Sequence, residues 1–85
     1  MTTFIVLARE VQVAEGMAIE LKDLGAMEPN HLQPLARLAK EQGFDMMYEF
    51  NSKPDMAEVG RLAPLGKVSG MSSMSRLWVL REDKI

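Results

Sequence analysis

Apolar and polar positions change in short blocks along this chain, and the blocks predict a mixture of strands and helices. Thr3 to Ala8 is apolar on both alternating faces, with Phe4, Val6 and Ala8 on one and Ile5 and Leu7 on the other, which predicts a strand covered on both sides. Arg76 to Glu82 repeats this signature, with Leu77 and Val79 opposed to Trp78 and Leu80. Two such strands in a small chain are expected side by side in the middle of a sheet, with weaker strands at its edges. Asp45 to Phe50 places Met46, Tyr48 and Phe50 on one face and Asp45, Met47 and Glu49 on the other, which predicts a strand covered on one face only.

From Glu10 to Asp23 two readings compete. As a hairpin, Ala14-Glu15-Gly16 is a three-residue connection with Gly16 left-handed, setting Val13 against Met17, Val11 against Ile19 and Glu10 against Glu20. As a helix, Val11, Ala14, Met17, Ala18, Leu21 and Leu24 share a face that ends at Gly25. The helix would hold Gly16 in its interior and lack a capping residue, so the hairpin is preferred. Asn30 can cap a helix with the stripe Leu32, Leu35, Ala36, Leu38 and Ala39, stopped at Gly43, with the regular helix expected from Pro34. Ser52 and Asp55 have capping-box spacing before the stripe Met56, Val59, Leu62 and Ala63, which Pro64 ends. Leu65 to Ser75 has no steady period and is expected as loop. The result is a single α+β domain over residues 1–85, ordered β-β-α-β-α-β, with a three- or four-stranded, mainly antiparallel sheet and two short helices.

Composition agrees with one small core, since the 85 residues are 47% hydrophobic and 26% charged, and it excludes a second domain. The chain has no cysteine, so disulfides, thiolate metal sites and thiol catalysis are ruled out and a reducing cytoplasm is the expected setting. Its longest aliphatic run, Phe4 to Ala8, is too short for a signal peptide or a membrane span.

Most catalytic constellations fail on the residues available. His31 is the only histidine and is expected as a polar residue near a helix start, so no two-histidine metal site exists within one chain. No G-x-S-x-G elbow accompanies the serines at 69, 72, 73 and 75. Gly60 to Val68 has five residues between its glycines where a phosphate loop has four, contains Pro64, and puts Val68 where a hydroxyl is needed. Asp45 and Glu49 are about 13 Å apart along an extended strand, too far for a glycosidase pair. No enzyme, metal or cofactor is expected.

Charge segregates along the chain, although its net value is only −2. Residues 10–28 hold five acids and one base, whereas residues 59–81 hold Arg61, Lys67, Arg76 and Arg81 and no acid. The eight methionines include Met47, Met71 and Met74, predicted on a polar strand face or in loops, where flexible thioethers can mould to another protein. Those four cations and three methionines are the expected contact residues of a non-catalytic interaction module that inhibits or regulates another protein by occupying its surface. A host-directed inhibitor from a phage or other mobile element is one form, and homo-oligomers are compatible with it. The alternative partner is nucleic acid, if residues 54–80 form a helix-turn-helix presenting Ser72, Ser73 and Arg76. If the cations are instead scattered, or neutralised by the acidic segment, the case for a shared basic surface ends.

Overall fold

A strand apolar on both faces must be covered twice, and Thr3–Val13 (β1) meets that demand inside a sheet with one helical layer on each side. The computed structural model describes residues 2–81. Its elements are β1, β2 (Gly16–Met27), α1 (Leu32–Glu41), β3 (Met46–Phe50), α2 (Met56–Leu62) and β4 (Met74–Val79), with 3-10 turns at Pro29–His31, Ala63–Leu65 and Val68–Gly70. This is the expected β-β-α-β-α-β order of an α+β fold, with all four strands antiparallel to their neighbours in the spatial order β2-β1-β3-β4. No helix of the described residues is long and apolar enough to cross a membrane.

Directly paired residues of an antiparallel sheet share a face, so the register assigns each side chain to a layer. Ile5, Leu7 and Met47 meet Leu32, Ala36 and Ala39 of α1, with Leu80 closing the cluster. Val6, Ala8, Tyr48 and Phe50 meet Val59 of α2 together with Ala63 and Val68 from the turns that follow it. Two expectations are corrected here. Met47 is 0% exposed, because β3 is a central strand and α1 covers the face on which Asp45 and Glu49 had suggested solvent. The last strand is an edge strand, and Leu77 and Val79 stay 42% and 60% exposed because no further strand flanks them among the described residues.

The Glu10–Asp23 segment is a hairpin, but its register differs from the expected one. Val13 pairs with Gly16, which leaves a two-residue turn at Ala14 and Glu15. Glu20 consequently lies opposite Arg9 and not Glu10, and the Arg9 Nε–H donates to the Glu20 carboxylate. A like-charge opposition is thereby exchanged for an ion pair. Gly16 has φ +128°, a conformation that L side chains rarely adopt, which explains glycine at the end of this turn.

Helix starts also differ in detail. Asn30 sits in the 3-10 turn that leads directly into α1 at Leu32, and no side chain caps that helix. In α2 the cap is Asp55, whose Oδ1 accepts the Ala57 N–H at 3.0 Å, so Ser52 has no such role. Leu65 to Ser75 is divided between two 3-10 turns and the start of β4.

Asp45 ties three segments where β3 begins. Its N–H donates to Ala8 C=O at 2.9 Å, its C=O accepts the Leu80 N–H at 2.8 Å, and its Oδ2 accepts the Glu10 N–H at 2.7 Å. The carboxylate is exposed, so Asp45→Ala should lower stability by about 1 kcal/mol in urea unfolding, while Asp45→Asn, which keeps an acceptor, should lose less than half of that. Burial of Tyr48, whose hydroxyl reaches the Met46 sulfur at 3.7 Å, raises its pKa above the usual value of 10.0. The unfolded chain therefore releases this proton at lower pH than the folded one, and stability should fall as pH rises past about 10, a loss that Tyr48→Phe removes in pH-dependent unfolding.

Candidate functional site

The four cations do not form one surface. Arg61 lies in the last turn of α2, and Lys67 precedes the Val68–Gly70 turn, so both belong to the α2 layer. Arg76 pairs with Glu49, which pairs with neighbouring Ile5, and this places Arg76 on the opposite face, beside α1. Arg81 follows β4 and lies 3.7 Å from the Glu10 carboxylate, already engaged with the acidic segment. The expected common basic patch is thus corrected: its members are adjacent in sequence but divided by the sheet. Of the methionines, Met47 is inaccessible in the core, while Met71 and Met74 are half-buried against the Val6–Phe50 cluster.

The helix-turn-helix expected for the nucleic-acid alternative is corrected as well. Residues 74–79 are a strand paired with β3, so no recognition helix follows α2 and Arg76 projects from a sheet. His31 is exposed in the turn before α1. Gly60 lies within α2, and Gly66, at φ +69°, ends the Ala63–Leu65 turn. Among the described residues no group of His, Asp or Glu is arranged to hold a metal ion.

Two local arrangements do come together. The first is a cleft of about 470 Å³ between the start of α1 and β4, with Asn30, Gln33, Glu49, Ser75, Arg76 and Trp78 among its walls. The Arg76 guanidinium stacks on the Trp78 ring, 3.9 Å from its centroid, although Glu49 is its direct cross-strand neighbour. Glu49 instead accepts the Trp78 Nε1–H at 3.2 Å, and the Thr3 hydroxyl, 3.5 Å away, donates more favourably to Phe50 C=O at 3.0 Å. The cleft offers one carboxylate, the Arg76 guanidinium and neutral hydrogen-bonding groups, without a nucleophile and base in contact.

The second is the outer part of the hairpin. β3 pairs with β1 only as far as Ala8, so Arg9–Val13 and Gly16–Glu20 continue as a two-stranded ribbon. No residue from Arg9 to Ala18 belongs to either core cluster. Val11, Val13 and Ala18 share one face beyond the Arg9 and Glu20 ion pair, and Met17 lies on the other, with Val13 41% and Met17 58% exposed. Glu10, Glu15 and Glu20 border these apolar positions. Charge counting treated this segment only as a neutraliser of cations and missed it as a surface. The available signal was the strength of the hairpin pattern on both sides of Ala14-Glu15, which extends well past the apolar block that ends at Ala8.

No family model matches the chain, and no curated protein or solved structure matches it. The divided cations and the acidic ribbon predict no electrostatic attraction to DNA. Random duplex should not retain the protein at low salt, and retention that falls with added salt or with Arg76→Ala would contradict this charge assignment.

Proposed function

We propose that this chain is a small, non-catalytic protein-interaction module that inhibits or regulates a partner by occupying its surface, with the Arg9–Glu20 ribbon as the contacting element. The reading is supported chiefly by one observation: Val13 and Met17 remain exposed on a ribbon that contributes nothing to the core before Ile19. An isolated two-stranded ribbon is only marginally stable in water, and this one is held at its base by the Arg9 and Glu20 ion pair and by Asp45. Five residue pairs reach about 15 Å past the sheet, enough to enter a groove on another protein.

The chemistry of that groove follows from the ribbon. Its two walls are apolar, to receive Val13 from one face of the ribbon and Met17 from the other, and its rim is basic, to meet Glu15 at the tip. Charge would steer the approach and apolar burial would supply affinity. Glu15 has no partner among the described residues, so it is free to serve the first role. The lack of cysteine is compatible with action in a reducing cytoplasm.

The test is affinity capture from a native lysate with the parent chain and with a Val13→Ser, Met17→Ser double variant, each first shown to be folded by circular dichroism. The parent should retain a stoichiometric protein, and the double variant should retain at least about tenfold less of it. Equal retention by both chains, or no enriched protein with the parent, would overturn the ribbon assignment.

A further inference from the structure

We propose that two copies of this chain join through their β4 edges, antiparallel about a two-fold axis at Leu77, to form one continuous eight-stranded sheet.

The two edges of the sheet are built differently. β2 presents Glu20, Lys22 and Asp23, and its pairing with β1 shifts between Ile5 and Val6. There Leu24 is the extra residue, Gly25 takes φ +76°, and the Asp23 carboxylate accepts the Gly25 N–H at 2.9 Å. Charges and a bulge are the features that keep an edge from pairing with another strand. β4 has one charged residue, Arg76, and its irregularity is confined to its start near Ser75. Arg76–Val79 is regular and carries exposed Leu77 and Val79.

The phase of β4 is suited to pairing. The Leu80 N–H donates to Asp45 C=O at 2.8 Å, in step with the Met46 and Val79 register. Since alternate residues of an antiparallel strand direct both main-chain groups to the same side, Trp78 and Arg76 face β3 and the groups of Leu77 and Val79 point outward. A two-fold axis at Leu77 lets that residue exchange both hydrogen bonds with its own copy.

The side chains are complementary in the same register. Leu77 meets Leu77 of the second copy on the α2 face. Arg76 lies across from the second copy's Trp78 on the α1 face, extending the stacking it already makes with its own Trp78. No like charges are opposed. Head-to-tail pairing of β4 with β2 meets the defended edge, so the contact closes as a dimer and does not propagate into a fibre. This surface is separate from the ribbon, and the two proposals fail independently.

Mass measurement by light scattering tests the proposal, using the parent chain, Leu77→Lys, Leu77→Glu and an equimolar mixture of the two variants. The parent should have twice the 9.5 kDa chain mass at NMR concentrations. Each variant alone should associate at least about tenfold more weakly, because like charges then face each other across the axis. The mixture should recover the dimer. A monomeric parent, or a dimer undiminished in both single variants, would overturn the proposal. So would a mixture that stays monomeric while circular dichroism shows both variants folded.

Discussion

Ile5 to Ala8 must be kept from water on two faces and hydrogen-bonded along two edges at once, and the architecture follows from that constraint. These four residues are between 0% and 2% exposed. β2 and β3 satisfy the edges, and because both run antiparallel to β1 they are parallel to each other, so a crossover is needed between them. α1 supplies the crossover and covers one face. α2 and its following turns, inserted between β3 and β4, cover the other. A chain this short can place only a thin apolar layer on each side, so the protected centre is small and the surfaces that extend from it carry few internal contacts.

Those surfaces arise where the covering runs out. β1 and β2 are longer than β3, so their outer halves leave the layered region as a ribbon whose only main-chain support among the described residues, past Asp45, is each other. At the far side of the sheet β4 has α1 beside Trp78 but no strand beyond it among the described residues. Ribbon and edge differ in chemistry. The ribbon joins apolar contacts to acidic charge and suits a basic groove, whereas the edge is nearly uncharged and suits another strand.

What could be read from the residues, and what could not, divides along physical lines. Alternation over Thr3 to Ala8, the turn residues near Gly16 and the stripes beginning at Leu32 and Met56 report local periodicity and burial, and each element they predict is present. Periodicity says nothing of which strand is central: Trp78 and Leu80 look covered because α1 reaches them, yet β4 is an edge. Met47 is hidden for a related reason: α1 covers it, while Asp45 and Glu49 on the same face are polar because each accepts a specific hydrogen bond, and they do not report a solvated strand. The hairpin register turned on one residue of loop length, and the two-residue turn sets Arg9 opposite Glu20 in place of opposed glutamates. Charge counts along the chain could not reveal that a sheet would separate Arg61 and Lys67 from Arg76, nor that Arg81 would meet Glu10.

The central claim is that a doubly covered strand carries the fold while the ribbon extends from it as an outlying element open to a partner. Native-state amide hydrogen exchange measures this residue by residue. The amides of Ile5 to Ala8, Met47 and Tyr48 should exchange only through global unfolding, and those of Val11, Val13 and Ala18 should exchange through local opening at much lower free energy. Protection of the ribbon amides equal to that of Ile5 to Ala8 would contradict the account, because it would make the ribbon part of the cooperative core.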